Sequence, residues 1–152
     1  MRTALAHSAN WLATCFRIGY LPLAPGTWGS AAAVIAWRLL PEMELFRLSL
    51  IVIVIFLVGV IVSSIVSYEE SNKDPSRVVI DEWVGMWIAL LMIPNEWLWL
   101  GIAFILFRIF DIVKVYPANR FERLPGGWGI MMDDVVAGLY AGVITQAAAL
   151  FL

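Results

Sequence analysis

The sequence predicts an all-α fold: a multi-pass helical membrane protein in which spanning helices, with shorter or re-entrant ones, surround an acidic site at the membrane interface. Three observations predict it. The 152-residue chain is 62% hydrophobic and only 14% charged, against about 25% charged in ordinary soluble domains. A domain this small has too much surface for its volume to hide so much apolar matter, so lipid must cover the excess. One apolar run is long enough to cross a bilayer, and the acidic residues gather outside such runs.

Taken in order, the N-terminus does not read as a signal peptide. Arg2 is followed by a run broken early by His7, Ser8 and Asn10, with no long apolar core before a small-residue cleavage site. Ala31 to Leu40 is a short apolar stretch stopped by Pro41. Leu48 to Tyr68 carries no charge and as a helix reaches about 31 Å, the thickness of a hydrocarbon core. Its β-branched stretch Ile51–Ile55 would suit a strand, but a lone strand in lipid leaves its backbone groups unpaired. Trp83 to Ile93 ends at Pro94-Asn95-Glu96, and Trp97 to Phe107 continues beyond it. Each covers only about 15–17 Å, so they extend into flanking segments, tilt, or form a re-entrant pair. Val135 to Leu152 closes the chain at about 27 Å, enough to span. No repeat or linker divides residues 1–152, which read as one domain.

The polar residues set the topology. Nine of the twelve acids fall in three clusters: Glu69, Glu70, Asp74, Asp81 and Glu82; Asp111 and Glu122; Asp133 and Asp134. Glu42, Glu44 and Glu96 lie in the two proline-marked turns. If those turns face one side of the membrane, all three clusters return to the other, where the N-terminal loop before Ala31 joins them. Eight of the ten basic residues share the acidic side, leaving Arg38 and Arg47 opposite, and the positive-inside tendency then puts the acidic side in the cytoplasm.

Several function classes are excluded. A net charge of -2 argues against nucleic acid as a partner, and Cys15 alone forms no internal disulfide or cysteine-rich metal site. His7 is the only histidine, so histidine-nucleophile chemistry has no material. Cysteine phosphatases need Arg six residues after the nucleophile, and here that position is Leu21. No Asp-x-Asp signature is present. Carboxylates, lysine, arginine and backbone amides remain.

Clustered carboxylates without histidine or cysteine suit a hard cation such as Mg²⁺. Arg108, Asp111 and Lys114 are spaced three apart, on one helical face that must point into a polar site rather than lipid. Asp133-Asp134 opens the last apolar helix, where the dipole favours acids, so capping competes with metal ligation. Adjacent carboxylates repel unless a cation or proton intervenes, which disfavours both being caps. The same alternatives stand for Asp81-Glu82 ahead of Trp83, and Asp74 before Pro75 can be a plain turn residue. Two glycine-bearing loops, Ala24–Ser30 and Gly126–Gly129, precede apolar helices, where freed amides can bind phosphate or simply turn the chain. The eight tryptophans read mostly as an interfacial aromatic belt and are assigned no chemistry.

Four segments together resemble the signature blocks of the phosphatidylglycerophosphatase A family, in its order and spacing. They are Leu23-Ala-Pro-Gly-Thr-Trp-Gly-Ser30, Val79-Ile-Asp-Glu-Trp-Val-Gly85, Phe107-Arg-Ile-Phe-Asp-Ile-Val-Lys114 and Gly126-Gly-Trp-Gly-Ile-Met-Met-Asp-Asp-Val-Val-Ala-Gly138. The resemblance implies an enzyme of the bacterial inner membrane that removes the terminal phosphate of phosphatidylglycerophosphate to give phosphatidylglycerol, with Mg²⁺ as cofactor. Val115 stands where the family often has proline, and Glu122 where an aspartate is common.

Combining both lines, the expected metal ligands are Asp81, Asp111, Asp133 and Asp134. Arg108 and Lys114 would neutralise phosphoryl charge, with Gly26, Thr27 and Ser30 as further phosphate contacts. Glu82 or an aspartate would orient the attacking water, and a covalent aspartyl-phosphate route stays open. Two rival classes are a CDP-alcohol-type phosphatidyltransferase and a cation-coupled transporter. The first lacks its Asp-Gly-x-x-Ala-Arg run after Asp134, and the second would place acids along the spans Leu48–Tyr68 and Val135–Leu152. The oligomeric state is not legible.

Overall fold

A computed structural model describes residues 2–72 and 74–151, which are helical with no strand among them. The order is α1 (Arg2–Ala13), a 3₁₀ turn (Ile18–Tyr20), α2 (Pro25–Leu39), α3 (Leu45–Glu70), α4 (Ile80–Leu90), α5 (Trp97–Val113), α6 (Ala118–Phe121) and α7 (Gly127–Phe151). The expected all-α class is what the chain adopts.

Two helices are long and apolar enough to cross a bilayer, α3 with 26 residues and α7 with 25, about 39 and 37 Å at helical rise. Only 33% of the apolar window of each is buried in the protein. Most of their surface therefore faces outward, unlike the core helix of a soluble domain. Leu50, Ile53, Leu57 and Ile61 on α3 and Leu139, Val143 and Leu150 on α7 are exposed, an apolar surface that water would not tolerate. The molecule is membrane-associated. With 11 residues, α4 reaches about 16 Å, too short to span.

The core forms where α7 meets α4. A Cβ on Gly138 would land on the Gly85 carbonyl, and one on Gly142 would lie 3.1 Å from that of Ala89. Small residues one turn apart thus let the two backbones approach closely, the packing mode that serves where apolar burial gives no advantage over lipid. On the other side of α4, the indole of Trp87 donates to the Ala33 carbonyl of α2 at 2.9 Å and packs edge-on against Trp37 at 5.6 Å. At the start of α7, the Gly127 amide donates to Ser64 Oγ of α3 at 2.7 Å.

The guanidinium of Arg38 lies over the Trp97 ring at 5.8 Å, so the end of α2 and the start of α5 share one end of the bundle. The acidic segments lie at the other. There Arg77 pairs with Glu70, donates to Asn10 Oδ1 at 3.1 Å and covers the Tyr20 ring. This network ties α1, the 3₁₀ turn and the end of α3 to the segment carrying Asp74.

Several expectations are corrected. The N-terminal segment is a helix whose Ala9 and Ala13 are buried, while His7 and Ser8 are exposed. The last helix begins at Gly127, so Asp133 and Asp134 lie well inside it and cannot cap it. The segment Pro25–Ser30 is not a loop but the first turns of α2, with proline where its missing N–H costs nothing. Of the tryptophans, Trp37, Trp87 and Trp99 are buried in the protein and not available to an interfacial belt.

Candidate active site

At the acidic end, α2, α4, α5, α7 and the α6–α7 link enclose a cavity of about 780 Å³. Among the described residues its wall carries seven carboxylates (Asp74, Asp81, Glu82, Asp111, Glu122, Asp133 and Asp134) against three cations (Arg108, Lys114 and Arg123). An excess of four carboxylates in a partly apolar cavity needs protons or a metal cation to be tolerated.

The acids divide by partner. Asp81 and Glu82 occupy the first turn of α4, where the helix dipole favours negative charge, and no side chain caps that turn. Asp134 faces them from α7: one carboxylate oxygen from each of the three lies within 4.8 Å of the others, a spacing that could hold a metal ion. Asp81 Oδ1 and Glu82 Oε2 are buried with no hydrogen-bond partner. Orphaned, solvent-shielded carboxylate oxygens aimed at one another are what a hard divalent cation would satisfy, so the residues fit the group. Burial raises both carboxyls, joined for Asp81 by the charge of Glu82, and Glu82 is pushed up to about 7.

Asp111, Asp133 and Glu122 are held by cations. Arg108 Nη1 meets Asp111 Oδ2 at 2.6 Å, three residues apart on α5. It also donates to Ser30 Oγ at 3.4 Å, while Ser30 donates to the Gly26 carbonyl at 2.7 Å. Lys114 Nζ meets Asp133 Oδ2 at 3.0 Å and Glu122 Oε1 at 3.1 Å. Burial alone would lower the Lys114 ammonium, but the hydrogen bonds and charges of Asp133 and then Glu122 outweigh it, and the net shift is upward. Lys114 does not share a helical face with Arg108 and Asp111 as the spacing suggested. It is the left-handed cap that ends α5, with φ 49°, and the turn swings its side chain towards α7.

Successive residues on a helix point about 100° apart, which is why Asp133 reaches Lys114 while Asp134 turns to Asp81 and Glu82. Of the expected metal ligands, Asp81 and Asp134 are therefore brought together with Glu82, whereas Asp111 and Asp133 line the same cavity in ion pairs. Of the expected phosphate contacts, Gly26 lines the cavity and Thr27 and Ser30 do not. Ser30 is fully buried beneath Gly26 and touches Arg108 instead. Gly26 packs directly under two of the site's side chains: a Cβ there would strike Glu82 Oε1, which would have to turn away, and lie 3.1 Å from Arg108 Nη1. Asp74 and Arg123 also line the cavity. Turn-like surroundings masked the first, and no local pattern marked the second. Cys15 is buried and its thiol pushed up to about 12, first by burial and then by the charge of Glu82, which removes it as a nucleophile. His7 lines a different, shallower depression.

A family model described as Phosphatidylglycerophosphatase A matches residues 11–149. The chain belongs to this family. Membership makes it a phosphatase, which counts against both a phosphatidyltransferase and a transporter. A Bacteroides thetaiotaomicron protein, provisionally named a phosphatidylinositol-3-phosphatase, is 42% identical over 90% of this chain and 91% of its own length. The Phosphatidylglycerophosphatase A of Escherichia coli is 37% identical over 94% of this chain and 85% of its own. That of Haemophilus influenzae is 38% identical over 96% and 91%. No solved structure matches the chain.

Proposed function

We propose that the chain hydrolyses the terminal phosphomonoester of phosphatidylglycerophosphate, giving phosphatidylglycerol, with Mg²⁺ as cofactor, as one domain of the bacterial inner membrane whose cavity faces the cytoplasm. The observation that carries this reading is the trio Asp81, Glu82 and Asp134, with unsatisfied buried oxygens, beside Arg108 and Lys114. Family membership supplies the substrate class, and the basic residues sharing the acidic end supply the orientation.

Asp81, Glu82 and Asp134 would hold the cation, which when bound supplies Lewis-acid polarisation of a phosphoryl oxygen and a water of lowered pKa. Arg108 and Lys114 neutralise charge on the phosphoryl oxygens, where most of the catalysis in phosphoryl transfer arises. Arg108 lines the cavity beside its partner Asp111 and keeps a buried Nε donor without a partner. Asp111 and Asp133 position these two cations rather than acting on the substrate. Water attacks phosphorus in line as the bond to the glycerol oxygen breaks; a carboxylate of the cluster takes the proton of the water and returns it to the leaving glycerol oxygen.

One observation favours a second reading. The relative provisionally named for phosphatidylinositol 3-phosphate is 42% identical to this chain. Both lipids present a phosphomonoester on a polyol head group joined through a phosphodiester. Phosphate release from each lipid in detergent micelles, with Mg²⁺ and with chelator, separates them. The proposal requires a preference for phosphatidylglycerophosphate, abolished by chelation and by Asp134→Asn in a protein still extracted folded from membranes. A preference for the inositol lipid, or metal-independent release, would overturn it.

A further inference from the structure

Of the cations around the cavity, two are already committed. Arg108 is paired with Asp111, and Lys114 with Asp133 and Glu122. Nearby Arg120 lies over the Tyr116 ring. Arg123 sits in the α6–α7 link, lines the same cavity and is exposed at its mouth. Among the described residues it has no carboxylate partner and its side chain makes no hydrogen bond. An unpaired, solvent-facing guanidinium at the rim of the cavity keeps its whole fork of donors available to an anion that arrives with the substrate.

The proposed substrate carries two anionic centres. The terminal phosphomonoester belongs at the deep end, where the acid trio, Arg108 and Lys114 converge. The phosphodiester, one head-group unit away, must then lie towards the mouth. With Arg108 and Lys114 engaged on the phosphomonoester, the phosphodiester has neither of them to meet its charge, and an unpaired anion in a partly apolar cavity is penalised. Arginine, with a planar fork of donors, is suited to this task. Next to it Leu124 lines the same cavity and is exposed, an apolar neighbour for the glycerol backbone of a lipid.

We infer that Arg123 is a specificity-determining residue that binds the phosphodiester of the lipid head group, so that the site selects a phosphomonoester carried on a phospholipid over free phosphate. The assignment rests on the phosphatidylglycerophosphate reading above. It predicts that Arg123 contributes to binding the lipid and not to the chemical step.

The experiment measures KM and kcat for phosphatidylglycerophosphate in neutral-detergent micelles, together with the inhibition constant of inorganic phosphate, which can occupy only the deep end. In Arg123→Gln, KM should rise about tenfold, one charge-assisted hydrogen bond's worth, with kcat within about twofold. The ratio of KM to the phosphate inhibition constant should rise in step, and Arg123→Lys should recover part of it. A ratio that does not move, whether both constants rise together or neither does, overturns the proposal, as does a loss confined to kcat. The underlying reading fails separately, if the unaltered protein releases no phosphate from phosphatidylglycerophosphate with divalent cation present.

Discussion

Gly26→Ala is a demanding perturbation because it adds one carbon and removes nothing. The new Cβ would collide with Glu82 Oε1, approach Glu82 Cδ to 3.0 Å and lie 3.1 Å from Arg108 Nη1. Gly26 is on the first turn of α2, fixed by Pro25 and by the Ser30 hydrogen bond to its carbonyl, so the backbone has little room to retreat. Glu82 is the movable partner, and relief means turning its carboxylate out of the group it forms with Asp81 and Asp134. The stability cost is that of mild overpacking, about 1–3 kcal/mol, and the helix is retained. Function suffers more, since a misplacement of about 1 Å can cost about 100-fold in rate. A divalent-ion titration of phosphate release should show about that loss and a raised cation requirement. Gly101→Ala is the control: nothing lies within 4 Å of a Cβ there, and alanine favours the α5 helix. If Gly26→Ala retains normal turnover and cation dependence, or if Gly101→Ala loses as much, the proposed geometry around Glu82 is wrong.

Lys114→Gln should lower kcat/KM by about 10- to 100-fold, the worth of charge-assisted hydrogen bonds, because Asp133 then stands buried without a cation; steady-state kinetics in micelles reads this directly. Gly138→Ala drives a Cβ onto the Gly85 carbonyl and should destabilise the α4–α7 seam by about 1–3 kcal/mol, seen as a lowered unfolding midpoint in detergent, whereas an unchanged midpoint would mean the seam is looser than described. Chelation should abolish phosphate release, and Mg²⁺ or Mn²⁺ should restore it; activity that persists in excess chelator would remove the metal from the account.

The helical class and the two long helices were legible because an uncharged run of bilayer length has few alternatives in lipid. Where the helices start was less so. Gly126-Gly127-Trp128-Gly129 reads as a loop by composition, yet Gly127 is already helical, since a close approach to Val60 and Ser64 on α3 demands glycine there. That shift changes the meaning of Asp133 and Asp134 from end-of-helix acids to two differently aimed groups within a helix. Asp81, Glu82, Arg108, Asp111 and Lys114 could be picked out as polar residues at the edges of apolar runs. Their pairing could not, because it depends on the left-handed turn at Lys114, which no local residue preference announces. Asp74 and Arg123 join the cavity only through tertiary packing. The N-terminal helix escaped notice because its buried face consists of alanines, which carry little hydrophobic signal.

The most direct test of the site is where a divalent ion sits. Crystals of the protein soaked in Mn²⁺ and measured at the manganese edge should show an anomalous peak at coordination distance, about 2.0–2.3 Å, from carboxylate oxygens of Asp81, Glu82 and Asp134. The peak should vanish in Asp134→Asn. Manganese bound instead among other acids, or a cavity that takes up none at saturating concentration, would contradict the assignment on which the catalytic account is built.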